Sequence, residues 1–465
     1  MEKENAWKTY GAEEYRELEQ INQSYKSCLN EGKTERECVK LAVNMLKEHG
    51  YQDLKDFIDR QKPLNAGDKV YAVCMGKSVA AFHIGAEPLE KGMNILGAHI
   101  DSPRIDVKQN PLYENEELSY LDTHYYGGIK KYQWVTIPLA LHGVVAKKDG
   151  TMVEIHIGDK EDDPVFVVTD LLVHLASKQM EKKANAVIEG EKLDLLFASR
   201  PIKDDSSLDK EEKEAVKANV LHILETSYGI SEEDFASAEL EIVPAGDARD
   251  CGIDRSMIMA YGQDDRVCAF TSLFALLDVE NVKKTACCIL VDKEEIGSVG
   301  ATGMHSRFFE NVIAEMTALT GEMSDLKVRR TLQNSKMLSS DVSAAFDPMF
   351  SEMFEKRSSA FFGKGLVFNK FTGSRGKSGS NDANAEYLAE IRRAMDSKNV
   401  AYQFAELGKV DAGGGGTIAY IMANYGMEVI DSGVAVLCMH APWEITSKAD
   451  VYEAYKGYKA FIEEM

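Results

Sequence analysis

The sequence predicts an α/β protein whose main sheet is mostly parallel. From about residue 262 to the C-terminus, apolar segments typical of buried strands alternate with helix-like segments. The clearest strand is the apolar run from Thr285 to Val291, which lies between the helix-like stretches "VCAFTSLFALLDV" and "SRFFENVIAEMTAL". No internal repeat interrupts this alternation, so a layered α/β sandwich is expected.

The segments before residue 244 follow two different patterns. Residues 1–105 contain the helix "TERECVKLAVNMLKEHG", which opens with capping-box spacing, and the strand-like segments "KVYAVCMG", "VAAFHIG" and "MNILGAHID". Residues 106–243 contain two strands joined by a turn at "KKDG" and a charged helix at 206–230. We therefore predict a discontinuous α/β domain at 1–105 and 244–465, interrupted by a second domain at 106–243.

The composition argues against several functional classes. The chain has 465 residues and a net charge of −22, which disfavours general nucleic-acid binding because phosphates would be repelled. No stretch approaches the roughly 18 apolar residues of a membrane-spanning helix, and the first residues lack the pattern of a secretory signal. The eight cysteines include no C-x-x-C pair and are expected to be buried and reduced. We therefore predict a cytoplasmic protein without membrane or nucleic-acid partners.

Two adjacent carboxylates, Glu294 and Glu295, follow the strand that ends at Val291. Because neighbouring side chains of a strand point to opposite faces, the two would enter one cleft from different directions. One would hold a metal ion while the other takes a proton from a water molecule. A solvated surface pair is the alternative, although α/β proteins place ligands beyond the carboxyl ends of their strands.

Further candidate ligands stand at other predicted element ends. In "GAHIDSPR", His99 and Asp101 are two residues apart, and a metal-binding imidazole often donates its second N–H to such a carboxylate. Asp264, in "GQDDR", precedes a helix and is either an N-cap or a carboxylate that bridges two cations. Asp341 and His440 follow strand-like runs, where capping or a satisfied polar core is the alternative.

Together the candidates form a donor set of two imidazoles and three carboxylates: His99, Asp264, Glu295, Asp341 and His440. This mixture suits a pair of zinc-like ions that each keep an open position. Because the set contains no thiolate, a closed structural zinc site is not expected.

Two loops each have a functional and a non-functional interpretation. The run "VDAGGGGTIAY" lacks the phosphate-loop pattern, which leaves close backbone approach to a substrate or a tight loop without function. The run around "FTGSRGKSGSND" carries Lys370, Arg375 and Lys377, and it either faces the substrate or is a solvated loop.

Seven stretches, in this order, resemble the aspartyl aminopeptidase and vacuolar aminopeptidase I family of dinuclear zinc exopeptidases, and the chain looks like a bacterial member. They are "GAHIDSPR", "YGG" at 126–128, "GQDDR", "DKEEIGSVGATG", "SSDVSAAFDP", "GGTIAYIMANYGMEVIDSG" and "MHAPWE". The resemblance implies a zinc-peptidase α/β/α sandwich with an inserted, β-rich dimerisation domain at 106–243. It also implies a tetrahedral homo-dodecamer, built from dimers, that acts on peptides.

The resemblance further implies roles for single residues. Glu294 would be the general base, Asp101 would be the partner of a metal-binding histidine, and the Asp264–Asp265 peptide bond would be cis. Five residues would bind two zinc ions, with Asp264 bridging them: His99, Asp264, Glu295, Asp341 and His440.

Two positions depart from the members of this family that prefer acidic substrates. Where those members carry a histidine in the inserted domain, this chain has Asp170, with His174 nearby. Where they carry a basic residue soon after a stretch like "GKGLVF", this chain has Asn369 beside Lys370. Because a buried carboxylate needs a cationic partner, we expect neutral or apolar N-terminal residues to be preferred slightly over Asp and Glu.

The sequence thus predicts a metal-dependent aminopeptidase that removes N-terminal residues from peptides. Two other functions stay open: a carboxypeptidase or deacylase on the same scaffold, and a non-catalytic shell or cargo protein. The complete set of candidate ligands, together with Glu294, argues against a loss of activity.

Overall fold

Helices and strands alternate through the computed structural model, which describes residues 4–202, 214–321 and 324–465. The helices α1 to α11 of these ranges are Ala12–Glu31, Glu35–Glu48, Leu54–Arg60, Ser177–Met180, Ala215–Tyr228, Gln263–Leu277, Phe308–Leu319, Asp325–Gln333, Ala385–Ser397, Ala419–Ala423 and Lys448–Glu464. The strands β1 to β21 are Gln52–Asp53, Lys69–Cys74, Ser78–His83, Met93–His99, Arg104–Asn115, Leu118–Tyr126, Leu139–Ala146, Met152–Ile157, Val167–Val168, Leu195–Ala198, Ala238–Pro244, Arg249–Cys251, Met257–Ala260, Thr285–Val291, Lys336–Ser340, Ser343–Ala344, Leu366–Asn369, Tyr402–Phe404, Glu428–Gly433, Ala435–Leu437 and Glu444–Ser447. None of the helices in the described ranges combines the length and the apolar composition of a membrane-spanning segment.

The chain divides into two units, each formed by separate stretches of sequence. The first unit comprises Met1–Ser102, Ala248–Met439 and Glu444–Met465. The second comprises Pro103–Asp247 and the short segment His440–Trp443. The assignment of catalysis to one domain and dimerisation to the other stays a prediction.

A nine-stranded sheet forms the centre of the first unit, in the order β1-β2-β3-β14-β4-β15-β19-β17-β18. Five of its eight neighbouring strand pairs are parallel, including the central run β14-β4-β15-β19. The predicted α/β class with a mostly parallel sheet is confirmed. A second, five-stranded sheet of this unit has the order β12-β13-β21-β20-β16.

The two faces of the nine-stranded sheet are covered by different helices, as strand β14 shows. Cys287, Ile289 and Val291 pack in one apolar cluster with residues of α3, α7, α8 and α10. The alternate residues Cys288 and Leu290 pack in another cluster with residues of α1, α2, α6, α9 and α11. Both faces of β14 are therefore buried, which explains why its sequence is continuously apolar instead of alternating.

The second unit contains a seven-stranded sheet with the order β8-β7-β11-β5-β6-β10-β9, and every neighbouring pair is antiparallel. The predicted hairpin is present as β7 and β8, and its turn closes where Gly150 N–H donates to the Lys147 carbonyl. The predicted charged helix corresponds to α5, which ends at Gly229 with a left-handed φ of 65°. The beginning of that prediction, residues 206–213, lies outside the described residues.

Local sequence signals set several element boundaries in the first unit. Helix α2 has the predicted capping box, in which Thr34 Oγ1 accepts the Glu37 N–H at 3.2 Å and Glu37 Oε2 accepts the Thr34 N–H at 2.9 Å. The expectation that the cysteines are buried was wrong for three of the eight: Cys74 and Cys251 are partly exposed, and Cys438 is exposed directly after β20 at a φ of 58°. The chain turns there, so the apolar strand-like run ends one residue earlier.

Candidate metal centre

Three neighbouring parallel strands, β14, β4 and β15, bring candidate residues to one edge of the nine-stranded sheet. His99 is the last residue of β4 and is in register with Val291, the last residue of β14. Asp341 directly follows β15, and Glu294 begins a turn shortly after β14. Parallel pairing thus collects residues that are far apart in sequence at the edge where α/β sheets bind ligands.

The two adjacent glutamates do not occupy strand positions. Strand β14 ends at Val291, Lys293 has a left-handed φ of 70°, and Glu294–Ile296 form a 3₁₀ turn. The prediction that strand alternation separates the two side chains was wrong, because the chain leaves the sheet before it reaches them.

Ligand-type atoms converge in two overlapping groups of three residues. In one group, atoms of His99, Asp264 and Glu295 all lie within 4.8 Å of one another. In the other, atoms of His99, Glu294 and Asp341 do so. The first unit therefore brings together four of the five predicted ligands and the predicted base.

The His99 ring has carboxylates on both sides. Its Nδ1 lies 3.0 Å from the Asp101 carbonyl oxygen and 3.3 Å from Asp101 Oδ1, and its Nε2 lies 3.2 Å from Asp264 Oδ1. Burial by itself lowers the pKa of His99, but the hydrogen bonds to Asp101 and Asp264 outweigh burial and raise this pKa well above its usual value. Because Asp101 offers only acceptors to Nδ1, the Nδ1 proton stays on that side and Nε2 is directed into the carboxylate group.

Asp101 fixes the glutamate turn as well as the histidine. Its Oδ1 accepts the Glu294 N–H at 3.1 Å, and its Oδ2 accepts the Glu295 N–H at 3.2 Å. The residue is fully buried. One carboxylate therefore sets the orientation of His99 and the position of both glutamates, which is a positioning role.

Asp264 is held through its backbone on both sides of its side chain. Its N–H donates to Glu444 Oε2 at 3.0 Å, and its carbonyl accepts the Ser102 hydroxyl at 2.7 Å. The Asp264–Asp265 peptide bond is cis, as the resemblance implies. Sequence reasoning assigned no role to Ser102 or Glu444, although both lie inside the motifs "GAHIDSPR" and "MHAPWE".

Asp341 is placed by a close contact between two backbones. Its N–H donates to the Ser432 carbonyl of β19 at 3.0 Å. A Cβ atom on Gly433 would lie 1.7 Å from the Asp341 carbonyl oxygen, so only glycine fits there. No sequence pattern predicts this requirement, because it depends on how β19 pairs with β15.

The site concentrates negative charge that calls for a cation. Burial raises the pKa of Asp341 well above its ordinary value, and the charges of Asp265 and Glu294 raise it further. Carboxylate oxygens and an imidazole nitrogen that converge in this way form a donor set typical of catalytic zinc sites. The residues present therefore fit divalent metal ions.

His440 belongs to the second unit and is described within it. It has a left-handed φ of 64°, and its Nδ1 lies 2.9 Å from the carbonyl oxygen of Gly128, in the "YGG" motif. A Cβ on Gly128 would lie 3.2 Å from that nitrogen, so this glycine leaves room for the ring.

Comparison with known proteins decides the family. A family model described as aminopeptidase I zinc metalloprotease (M18) matches residues 28–462 of the chain. The chain belongs to the M18 family of zinc aminopeptidases. This M18 aminopeptidase is 59% identical to a probable M18 family aminopeptidase 1 from Clostridium acetobutylicum, over 99% of this chain and 98% of the relative.

Solved structures share the fold of this M18 aminopeptidase. A crystal structure of an M18-family aminopeptidase from Thermotoga maritima is 45% identical and gives a TM-score of 0.94, with both chains fully covered. The S. cerevisiae mApe1 dodecamer is 21% identical and gives a TM-score of 0.76, over 95% of this chain and 96% of that one. The chain is thus a metal-dependent aminopeptidase, and the carboxypeptidase and deacylase alternatives are set aside.

The close contact at Gly433 gives a test of how the M18 aminopeptidase places Asp341. Gly433→Ala forces the Asp341 backbone away from β19, so zinc affinity and activity should fall together, by about 10- to 100-fold as for other supporting residues of metal sites. Zinc would be measured by mass spectrometry after dialysis against a zinc buffer. Gly376→Ala is the matched control, because a Cβ there meets no described atom within 4 Å. Full zinc content and activity in Gly433→Ala would show that this contact does not position a metal ligand at Asp341.

Proposed function

We propose that this M18 aminopeptidase removes N-terminal residues with two zinc ions and a glutamate base. Five residues would hold the ions, with Asp264 shared between them: His99, Asp264, Glu295, Asp341 and His440. The convergence of ligand atoms around His99 carries this proposal for the four residues of the first unit. His440 keeps its proposed role on the "MHAPWE" motif alone.

The chain's own groups prepare the reaction. When bound, the two ions supply Lewis-acid chemistry that acidifies water and polarises the scissile carbonyl. His99 presents Nε2 because Asp101 holds Nδ1, and Asp264 is kept in place by Glu444 and Ser102. These contacts fix the ligands before the substrate arrives, which is how a site lowers the cost of reorganisation during reaction.

Glu294 is the proposed general base. The Glu294 backbone N–H donates to the Asp101 carboxylate. The Glu294 carboxylate lies in the group of ligand-type atoms that also contains His99 and Asp341. It would accept a proton from the attacking water and then donate that proton to the leaving amine. One residue can perform both steps because the first step protonates it.

Substitution of each glutamate by glutamine distinguishes the proposed base, Glu294, from the proposed metal ligand, Glu295. Glu294→Gln removes the proton acceptor but keeps the shape, so it should retain both zinc ions and lose activity by about a hundredfold or more. Glu295→Gln, one residue away on the same turn, is the matched comparison and should lose zinc together with activity. The opposite pattern, with zinc lost from Glu294→Gln and retained by Glu295→Gln, would mean that the two roles are exchanged.

The loop cations are poorly placed to receive an acidic side chain. Lys370 Nζ lies 3.4 Å from Asp382 Oδ1, and Lys377 Nζ lies 3.0 Å from Asp382 Oδ2. The hydrogen bond from Lys377 lowers the pKa of Asp382 and keeps it charged. Asp382 thus already neutralises part of the positive charge of this loop.

The two departures from acidic-preferring relatives support the same conclusion. Asn369 is buried, and its Nδ2 donates to the Ala405 carbonyl at 3.2 Å. Asp170 Oδ1 accepts the Gln179 side-chain amide at 2.8 Å and so adds negative charge where relatives carry a histidine. We therefore propose that the enzyme prefers neutral or apolar N-terminal residues.

A panel of aminoacyl arylamides tests the preference. Leu- and Met-arylamides should show a higher kcat/KM than Asp- and Glu-arylamides at equal zinc loading, because the two loop lysines are already paired with Asp382. Lys377→Ala should leave this order unchanged. If Asp or Glu were preferred over Leu by tenfold, about 1.4 kcal/mol of discrimination, a cation such as Arg375 would reach the pocket and the proposal would be wrong.

We also propose that the enzyme is a tetrahedral homo-dodecamer built from dimers, the implied family assembly. The second unit exposes an apolar segment, in which the exposed fraction of each side chain is 48% to 77%: Leu171, Leu172, Val173, Leu175 and Met180. Several large apolar side chains exposed within one short segment are typical of protein–protein interfaces. A second copy of the chain is the proposed partner of this segment.

Polar substitution of this segment should reduce the assembly. In the Val173→Asp, Leu175→Asp double variant, two desolvated carboxylates would oppose pairing, so the native mass should drop toward a smaller species. Met152→Asp, at an exposed site of the same unit, serves as the control. A wild-type native mass of 51.6 kDa, that of one chain, would rule out the proposed assembly.

A cytoplasmic location is part of the proposal. None of the eight cysteines, all of which lie in the described ranges, is in a disulfide bond, which is the state expected of a protein kept in a reducing compartment. Peptides are the proposed substrates, and the acidic surface charge disfavours nucleic acid as a partner.

A further inference from the structure

The glycine-rich segment Gly413–Gly416 contains two kinds of glycine. A Cβ on Gly413 would lie 1.7 Å from the Leu407 carbonyl oxygen, and one on Gly414, whose φ is 127°, would lie 2.5 Å from the Cα of Ser374. These two glycines are required by packing between the segment and its neighbouring loop. Their presence needs no ligand to explain it.

Gly415 and Gly416 are not explained by packing. Both are exposed, and neither has a left-handed φ. A Cβ on Gly416 would meet no described atom within 4 Å, and one on Gly415 would meet only Leu407 Cδ2, at 3.8 Å. A side chain would fit at either position, so glycine there leaves an open strip of backbone that another main chain can approach closely.

The open strip is fastened at both ends. Gly415 N–H donates to the Thr372 carbonyl at 2.9 Å. Thr417 Oγ1 donates to Asp431 Oδ1 at 2.5 Å. Thr417 Oγ1 also accepts a hydrogen bond from the N–H of Ala419, the first residue of helix α10. Because Asp431 is buried, the Thr417–Asp431 hydrogen bond joins the glycine-rich segment to the sheet interior and not to a mobile surface group.

The attachment lies beside the candidate metal centre. Asp431 stands on β19 in register with Ser339 of β15, the strand that leads to Asp341. Burial raises the pKa of Asp431 to about 7, and the nearby Glu294 carboxylate adds to this rise. The open strip therefore emerges from the same sheet edge as the proposed base and ligands.

We propose that Gly415 and Gly416 form a platform for the main chain of the peptide substrate, and that Thr417 and Asp431 are positioning residues that hold this platform. The platform rests on the proposed function for its role, because it presents the scissile bond to the proposed centre. Its ligand is a peptide backbone, so it contributes affinity without selecting a side chain.

Gly416→Ala tests the platform directly. The added methyl group enters the open strip, so KM for Leu- and Met-initiated tripeptides should rise about tenfold or more, with kcat and zinc content unchanged. The rise should be equal for the two peptides, because the main chain is common to both. Gly376→Ala is the matched control, since it adds a methyl group to an equally open glycine of the neighbouring loop. An unchanged KM, or a rise for only one of the two peptides, would overturn the proposal.

The positioning residues are tested by Thr417→Val, which keeps the shape but removes the hydroxyl. KM should rise as in Gly416→Ala, Thr417→Ser should restore it, and Thr417→Val combined with Asp431→Ala should be no worse than the more severe single variant. A KM effect that appears only together with zinc loss or a lower Tm would show a structural role instead. Failure of the glutamate base would appear in kcat of Glu294→Gln and is thus distinguishable from failure of the platform.

Discussion

Electrostatic repulsion among carboxylates at one sheet edge is the constraint that the surrounding structure must compensate. Asp264, Glu294, Glu295 and Asp341 converge around His99, and Asp101 stands directly behind it. Two unit charges of like sign 4 Å apart repel by about 4 kcal/mol at an effective dielectric constant of about 20. Such a cluster is stable as carboxylates only when cations and N–H donors balance it, and zinc ions are the cations that the donor set suits.

Backbone N–H groups are the donors that help to balance the carboxylate charges, and other backbone hydrogen bonds hold the carboxylates in place. Asp101 accepts two N–H groups from the glutamate turn, while Asp264 and Asp341 are held by bonds from their own backbones. These contacts come from different elements, so the site forms only when β4, β14, β15 and β19 are correctly paired. The fold thereby fixes the positions of the candidate ligands in advance, which is the property that an efficient hydrolytic site needs.

Much of this architecture follows from local sequence signals. The strand Thr285–Val291 and the capping box of α2 were predicted correctly, because continuous apolarity and capping chemistry act within a few residues. The motif resemblance also pointed to the residues that converge around His99. It was less informative about the glutamate turn, whose backbone leaves the sheet at Lys293.

The features that the sequence did not reveal depend on tertiary pairing. Gly433 must be glycine only because β19 passes the Asp341 backbone, and Thr417 meets Asp431 only because helix α10 returns to the sheet edge. Glu444 supports Asp264 from across 180 residues of sequence. No local pattern encodes such contacts, so they become visible only when the strands are placed side by side.

Zinc stoichiometry is the most direct test of the claim that this cluster holds two metal ions. Wild-type enzyme and Asp264→Asn would be dialysed in parallel against buffered zinc, and bound zinc per chain would be counted by mass spectrometry with activity measured on the same samples. We expect two ions per wild-type chain and fewer in Asp264→Asn, because the shared carboxylate is lost. A fully active wild-type enzyme with no bound zinc, or two ions retained in Asp264→Asn, would contradict the two-ion claim.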